Sequence, residues 1–250
     1  MTTFQLPVLL ITSSIRVSAP LTALTDPAVR LAHTLDALRL WVAAYPTLQV
    51  VVCDGSNFDL TAAVQQQMPQ ASVECLSFEN DQEQVARKGK GWGEGEIVRH
   101  ALRQSATLQV AKAFAKCTSK LFVRNLPACL DQWNGTFLCD ARFGRVSGRL
   151  LPQMELRWLD TRFYVTDKAF YLNALLDAHQ GVDDLGGRHL EHCFLQAVLA
   201  AKVSRFVFST PPAIAGVSGS SGREAVSGTH SRAARARRLA LGWTTNWVTR

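Results

Sequence analysis

The chain has 250 residues, which is enough for one large α/β domain with a substantial core. Hydrophobic residues make up 47% and charged residues 19%, a composition that excludes a disordered chain, and no apolar run reaches the roughly 18 to 20 residues of a membrane-spanning helix. The net charge of +7 favours anionic partners: nucleotides, phosphorylated glycans, acidic lipid surfaces or nucleic acid.

The six cysteines are scattered, without the C-x-x-C pairs or regular spacings of a metal site or a disulfide framework. We expect buried free thiols in a reducing compartment. The N-terminus has the apolar run Pro7–Ile11 but no basic region before it, so it indicates a strand and not a signal peptide. These features predict a cytoplasmic protein.

The first third of the chain alternates apolar strands with helical patterns. Pro7–Thr12 predicts a buried first strand, and Asp26-Pro27 predicts the start of a helix. A second strand, Leu48–Asp54, ends at an Asp-Gly turn signal. A short helix and a third strand follow: Leu60–Met68 and Ala71–Phe78. This order predicts an open, mainly parallel α/β sheet flanked by helices.

Polar residues follow the first two strands. Ligands of open α/β sheets bind outside the carboxyl ends of the strands, so Thr12, Ser13 and Arg16 are candidate ligand contacts. Asp54 either holds a ribose hydroxyl or a base edge, or serves as a cap in its turn.

Four alternating glycines lie in the stretch Lys88–Leu102 and precede a helical pattern. We interpret Gly89 to Gly95 as a loop that cradles a ligand, since glycine permits positive φ and close approach, and the helix start favours an anion. A flexible surface loop with solvated lysines is the alternative. The candidate binding residues here are Lys88, Lys90, Gly91, Gly93 and Glu94.

Three segments together resemble the nucleotide-sugar-dependent glycosyltransferases with the GT-A fold, especially bacterial enzymes of lipopolysaccharide or capsule synthesis. The strand Val50–Asp54 is similar to the one that contacts the nucleoside, and Lys88–Leu102 is similar to the one lining the donor cleft. Phe114–Asn125 looks like a Lys-x-(Thr/Ser)-Gly-Arg segment ending in Asn, with Ser119-Lys120 in place of Gly-Arg. The resemblance implies a Rossmann-type sheet and donor contacts from Lys120 and Asn125.

The resemblance leaves metal use open. Most such enzymes hold a divalent ion with an Asp-x-Asp pair, because hard oxygen ligands suit Mg²⁺ or Mn²⁺, and this sequence has no such spacing. Asp140 stands alone, and we count it as a donor-site candidate. We therefore expect transfer without a metal, in which Lys and Arg neutralise the diphosphate, at least as strongly as transfer that depends on a metal.

The second half carries the candidate catalytic residues. Thr136–Arg149 predicts a strand and a turn, and Trp158–Tyr164 predicts a strand with Asp160 and Arg162 on one face and Thr161 and Phe163 on the other. The Asp160 and Arg162 side chains either position the substrate or form a structural salt bridge.

Helical patterns follow at Lys168–Ala178 and at His189–Leu199. Glu191, near the start of the second helix, resembles the carboxylate that takes the acceptor's proton in inverting GT-A enzymes; otherwise it complements the helix dipole. His189 and His192 have no evident third partner, so we expect no zinc site.

We divide the chain into a catalytic domain, residues 1–209, and a C-terminal segment, residues 210–250. Its sequence from Thr210 to Gly222 predicts a mobile loop, and a basic segment follows. We expect the 210–250 segment to fold over the bound donor and stabilise the leaving diphosphate. Its candidate contacts are Ser218, Ser220, His230, Arg232 and Arg235. Docking on an acidic membrane surface is the alternative, whereas nucleic acid is not expected because no recognised motif is present.

The sequence thus predicts a glycosyltransferase that moves a sugar from a nucleotide sugar to a hydroxyl of a glycan or lipid-linked glycan, at the inner face of the cytoplasmic membrane or free in the cytoplasm. The alternative is a non-catalytic nucleotide- or glycan-binding assembly protein that keeps the fold. An S-adenosylmethionine methyltransferase fits less well, because its glycine loop follows the first strand.

Overall fold

A computed structural model describes residues 6–17, 19–20, 22–145, 154–219 and 222–224 of the chain. In chain order the strands are β1 Val8–Ser13, β2 Val50–Asp54, β3 Val73–Ser77, β4 Ala113–Thr118, β5 Leu121–Val123, β6 Phe137–Arg145, β7 Met154–Asp167 and β8 Ile214–Gly216. The helices are α1 Pro27–Ala44, α2 Thr61–Gln67, α3 Gln82–Lys88, α4 Lys90–Gln104, α5 Ala106–Val110, α6 Leu126–Leu130, α7 Lys168–Phe170 and α8 Leu190–Ala200.

The central sheet has six strands in the order β3-β2-β1-β4-β7-β6. The first four strands of this order are parallel, and β7 pairs antiparallel with both β4 and β6. The chain runs outward from β1 to β3 and then returns to the other side of β1 with β4, so the order reverses between β1 and β4. The predicted class, a mainly parallel α/β sheet flanked by helices, is confirmed.

Helices cover both faces of this sheet. Successive side chains of a strand point to opposite faces, so a strand that is apolar throughout is buried on both sides. In β1, Leu9 and Ile11 pack with Trp41 of α1, whereas Val8 and Leu10 pack in the cluster that includes α4 and α8. Asp26 caps α1 as expected, accepting the amides of Ala28 and Val29 at 2.8 and 3.1 Å.

The predicted glycine loop is helical, so that prediction is wrong. α3 ends at Lys88, and α4 already begins at Lys90. Of the four glycines only Gly89 has a positive φ, +104°. The others give room for packing inside the helix: a Cβ at Gly95 would lie 2.1 Å from Cγ of the buried His179.

β7 departs from regular pairing with β6 between Asp160 and Tyr164, in the segment whose side chains were predicted to alternate between the two faces of the strand. Cys139 of β6 pairs with Tyr164, but the next residue, Asp140, pairs with Asp160. The residues Thr161–Phe163 of β7 therefore have no counterpart on β6. Such irregularities re-aim side chains, and the predicted separation of Thr161 and Arg162 onto opposite faces does not hold, because both reach the same cavity.

Two further segments differ from their predictions. The predicted helix at Lys168–Ala178 is broken into α7, a π-helical turn at Tyr171–Leu175 and a 3₁₀ turn at Ala178–Gly181. The predicted loop after Thr210 contains β8, which pairs antiparallel with β5. Within the described residues, none of the helices is long and apolar enough to cross a membrane.

Candidate functional site

A cavity of about 440 Å³ opens at the carboxyl ends of β1 and β4, where the strand order reverses. This is the position at which open α/β sheets bind small ligands. Its walls come from the loops after β1, β2 and β4, from α4, from β7 and from the start of α8. The predicted site residues that line it are Thr12, Ser13, Arg16, Lys90, Gly91, Gly93, Glu94, Lys120, Arg162, Glu191 and Ser218.

Two hydroxyl groups at the end of β1 have no partner in the described part of the chain. Thr12 is 3% exposed and Ser13 is 2% exposed, and both line the cavity. Neither Thr12 Oγ1 nor Ser13 Oγ makes a hydrogen bond there. A buried polar group without a hydrogen bond costs free energy, so these hydroxyls favour a polar ligand at this end of β1.

Cationic side chains form part of the cavity wall. Arg30 of α1 is buried and donates to the carbonyls of Ser14 and Leu24, each at 2.7 Å. Arg16 donates to the carbonyl of Asn57 at 3.3 Å. We call Arg16, Arg30 and Lys120 the basic wall of the cavity; its charge complements an anion.

Lys120 has an unusual environment within the basic wall. It is 3% exposed, has a φ of +69°, and its Nζ donates to Ser119 Oγ at 2.8 Å. Burial, and then the neighbouring charge of Arg30, lower the pKa of Lys120 to about 7. Its ammonium group therefore gains from any anionic ligand that restores a counter-charge.

Glu191 occupies the first turn of α8 and also lines the cavity. Its Oε1 accepts a hydrogen bond from Thr161 Oγ1 at 3.1 Å. Burial raises the pKa of the carboxyl group, and the nearby charge of Glu94 raises it further. A carboxylate with a raised pKa in a cavity is suited to accept a proton from a bound hydroxyl.

Glu94 is fixed by a buried lysine that sequence reasoning missed. The Lys116 side chain is fully buried, and its Nζ binds the Glu94 carboxylate. It also donates to Thr118 Oγ1 and to the carbonyl of Thr161, each at 2.9 Å. Lys116 thus connects α4 to the strand that holds Glu191 in place.

The N-terminus of α4 already has an anionic partner. Asp184 accepts the amide of Gly91 at 3.0 Å and contacts Nδ1 of His189 at 2.9 Å. A Cβ at Gly89 would lie 2.3 Å from Oδ2 of Asp184, so the glycine makes room for this carboxylate. The anion predicted for this helix start is therefore supplied by the protein itself.

Asp54 does not line the cavity. Its carboxylate is fully buried and accepts the amides of Ile15 at 2.9 Å, Ser56 at 2.8 Å and Phe58 at 3.3 Å. It thereby joins the loops that follow β1 and β2. The predicted nucleoside contact is corrected to this role in shaping two walls of the cavity.

Four other predicted contacts are also absent from the cavity lining. Lys88 donates to the carbonyl of Gln180 at 2.7 Å, and Asn125 holds the Pro211 carbonyl and the Ala213 amide. Asp160 is bound by Arg162 through Nε at 2.8 Å and Nη2 at 2.5 Å, and this ion pair is the structural alternative foreseen for it. Asp140 accepts the amide of Ala141.

Part of the C-terminal prediction falls outside the described residues, namely Ser220, His230, Arg232 and Arg235. The described part of the segment reaches the cavity. Ser218 and Gly219 line it, and the Gly219 carbonyl accepts the amide of Leu24 at 3.3 Å. The chain beyond residue 209 therefore contributes a wall beside Arg30 and Lys120.

The cavity does not present a divalent-metal site of the Asp-x-Asp kind. Its carboxylates are Glu94, Asp184 and Glu191, and each is engaged by protein donors. Among the described residues, no three His, Cys, Asp or Glu side chains are grouped so as to hold a metal ion. The residues present do not fit such a metal, and we derive no chemical step through one.

The missed residues that line the cavity, or that support its wall as Lys116 does, carried weak signals. Lys116 stands inside the apolar run of β4, where a lysine is unusual, and it begins the Lys-x-Thr segment of the resemblance. Arg30 follows Asp26 by one helical turn, which places it at the α1 end that faces the cavity. Trp158, which also lines the cavity, had no such signal, because the sequence alone does not show that its ring is exposed.

Fold and cavity together define an α/β protein with a partly cationic cavity at the reversal point of its sheet. No protein-family profile matches the sequence, and no curated protein matches it. The chain is similar to the solved structure of a mannosyltransferase from Pyrobaculum calidifontis in complex with GDP-Man and Mn²⁺, at 15% identity and a TM-score of 0.46. That similarity covers 97% of this chain and 64% of the other, so this chain spans less than two thirds of its length.

Two further solved structures show similarity at the same low level. Core-mannan synthase A from Aspergillus fumigatus in its Mn/GDP form has 9% identity and a TM-score of 0.42, over 79% of this chain and 71% of the other. The inositol-1-phosphate CTP transferase from T. maritima has 10% identity and a TM-score of 0.40, over 78% and 83%. Similarities this low assign neither activity nor substrate.

Proposed function

We propose that this protein is a glycosyltransferase that moves a sugar from a nucleotide-sugar donor to a hydroxyl group of a glycan acceptor. The observation that carries the proposal is the shared cavity of Glu191 and the basic wall at the reversal point of the sheet. A proton acceptor and cations in one cavity meet the two requirements of the reaction. These are deprotonation of the attacking hydroxyl and neutralisation of the leaving diphosphate.

The donor diphosphate lies against the basic wall in this proposal. Arg30 and Lys120 supply charge, and the hydroxyls of Thr12 and Ser13 supply the hydrogen bonds they otherwise lack. Arg30 is held by two carbonyls, so its orientation does not depend on the ligand. Such a prearranged cation loses little conformational entropy on binding.

Glu191 acts as the general base. Its carboxylate takes the proton of the acceptor hydroxyl as that oxygen attacks the anomeric carbon of the donor sugar. The bond from the anomeric carbon to the phosphate oxygen breaks, and the nucleoside diphosphate leaves with the electron pair. A single displacement of this kind inverts the anomeric configuration. The hydroxyl of Thr161 donates a hydrogen bond to the Glu191 carboxylate and holds it in position.

The finer parts of the proposal rest on the sequence resemblance alone. These are a bacterial surface glycan as acceptor, and a cytoplasmic enzyme that contacts the acidic inner membrane surface through its basic C-terminal segment. Vesicle sedimentation with anionic and with neutral lipids tests the membrane contact. Equal sedimentation with both kinds of vesicle contradicts an electrostatic contact.

The decisive experiment incubates the purified protein with a panel of nucleotide sugars and glycan acceptors, with and without EDTA. We expect release of nucleoside diphosphate together with a new glycoside, and loss of both with Glu191→Gln. Release of pyrophosphate from a nucleoside triphosphate and a sugar phosphate would instead identify a nucleotidyltransferase. Donor binding by calorimetry without turnover would identify the non-catalytic assembly protein.

A further inference from the structure

Trp158 stands out among the exposed apolar residues of the described chain. The other large apolar side chains exposed in the described chain are Val29, Leu40, Val110, Leu172 and Leu185. Of this group, Trp158, which is 42% exposed, is the one that lines the cavity. A large aromatic ring left open to water at the edge of a binding cavity offers apolar area that a ligand can cover.

The ring is held beside Glu191. Its centroid lies 5.9 Å from that of His192 in an edge-on arrangement, with the planes at 80°. His192 in turn accepts the amide of His189 through Nδ1 at 3.1 Å, which fixes the imidazole ring. His192 is the residue after Glu191, and Trp158, His192 and Glu191 all line the same cavity.

Polar donors surround this aromatic surface. The irregular pairing of β7 brings Thr161 and Arg162 to the same cavity as Trp158. Asp160 immobilises the Arg162 guanidinium through Nε and Nη2. A guanidinium has five N–H donors, and these bonds use only part of them. The surface is thus one apolar plane with hydrogen-bonding groups at its margin.

We propose that Trp158, His192 and Arg162 form the subsite that binds the acceptor, and that the acceptor unit bound there is a pyranose ring. A pyranose has an apolar face of C–H groups and a rim of hydroxyls, which matches this surface. The inference rests on the proposed function. In that function Glu191 deprotonates the acceptor hydroxyl, and the ring of Trp158 packs against His192, the residue next to Glu191, so we assign the sugar at Trp158 to the acceptor and not to the donor.

The first test is steady-state transfer kinetics with Trp158→Ala and Trp158→Phe. We expect the alanine variant to raise the KM for the acceptor roughly fivefold to tenfold, the range of one aromatic contact, and to change the KM for the donor by less than about twofold. The phenylalanine variant should restore most of the acceptor affinity. Leu172→Ala, at an exposed residue outside the cavity, is the matched control and should change neither constant.

A second test needs no turnover. Methyl pyranosides are titrated while tryptophan fluorescence is recorded in the native protein and in Trp158→Phe. We expect a saturable change that is present in the native protein and absent from the variant. An identical titration in both proteins overturns the inference.

The two proposals fail in different ways. Absence of transfer with every donor removes the proposed function, and the fluorescence titration then still decides whether a pyranose binds at Trp158. Transfer that proceeds with an unchanged acceptor KM in Trp158→Ala removes the subsite and leaves the glycosyltransferase standing.

Discussion

The ammonium group of Lys116 is buried completely and binds the carboxylate of Glu94 at the wall of the cavity. The Glu94 side chain is 24% exposed, so this pair joins the interior of β4 to the ligand space. Through the carbonyl of Thr161, the same ammonium group reaches the residue whose hydroxyl binds Glu191. One buried cation is therefore linked to two of the three carboxylates of the cavity, Glu94 directly and Glu191 through Thr161.

Replacing Lys116 with methionine should destabilise the protein and impair transfer together. The change removes a buried charge from its partner, which lowers the free energy of unfolding by about 3 kcal/mol. We expect kcat to fall as well, since Thr161 loses a donor to its carbonyl. Urea unfolding and transfer assays measure the two effects. Lys112→Met, at the exposed position before β4, is the control, and an equal effect there would contradict the role of Lys116.

The rate of transfer should fall at acidic pH because Glu191 must be ionised to act as a base. Burial raises its pKa, so protonation removes activity at a higher pH than for an ordinary glutamate. Thr161→Val deletes a hydrogen bond that favours the ionised form, and it should move the acidic limb of the kcat/KM profile to still higher pH. Glu191→Gln should lower kcat by about 10²- to 10⁴-fold.

Thr166→Val serves as the control for that profile, since Thr166 lies in β7 but outside the cavity lining. The acidic limb of the kcat/KM profile of Thr166→Val should coincide with that of the native protein. An acidic limb that is unmoved in Thr161→Val would show that Glu191 is not the titrating base.

Donor affinity should weaken as the pH rises through the pKa of Lys120, which is about 7. Below that pKa the ammonium form carries the charge that the diphosphate needs, and above it the neutral amine does not. Calorimetric titration of the donor between about pH 6 and about pH 8 measures this dependence. Lys120→Met should bind the donor weakly and with little pH dependence in this range. A native affinity that does not change with pH would remove Lys120 from the diphosphate site.

Lys120 also has a predictable effect on stability. Its pKa is lower in the folded chain than the ordinary value of 10.5, so between these two values the unfolded chain binds more protons. The free energy of unfolding should therefore rise with pH in that window. In Lys120→Met this contribution should disappear, as thermal unfolding at several pH values will show.

Gly95→Ala should destabilise the fold although alanine is the better helix former. In an open helix the change would add up to about 1 kcal/mol of stability, but here the new Cβ would lie 2.1 Å from the His179 ring. We expect a loss of roughly 2 kcal/mol by urea unfolding. His179→Ala should relieve most of this loss in the double variant. A neutral Gly95→Ala would indicate a loop at this position after all.

The sequence predicted β1, β2 and β3 of the parallel part of the sheet but not β4, and β1 and β2 were recognised as continuous apolar runs. Val50–Asp54 and its neighbours are bounded by clear turn and capping residues such as Asp26, and these signals are local. The candidate site followed in part from the same logic. Polar residues directly after a strand, such as Thr12 and Ser13, reach the cavity that the strand order creates.

The remaining parts depend on contacts between distant segments. The glycines of α4 predicted a loop, because the packing that requires them is not visible in the local sequence: a Cβ at Gly95 would meet His179, some eighty residues later in the chain. Asp54 was a candidate ligand contact, but its carboxylate accepts a hydrogen bond from the amide of Ile15. The shift in β7 after Asp160 is set by its pairing with β6 and leaves no pattern in the sequence.

The reversal of strand order between β1 and β4 has a consequence for how this protein can change. The basic wall is attached to the parallel strands, whereas Trp158 and Arg162 belong to the antiparallel strand β7 on the other side of β4. In the proposed reaction, substitutions on β7 would therefore alter which acceptor is used without changing the residues of the basic wall. The architecture separates the two specificities, so either one can diverge, or be redesigned, on its own.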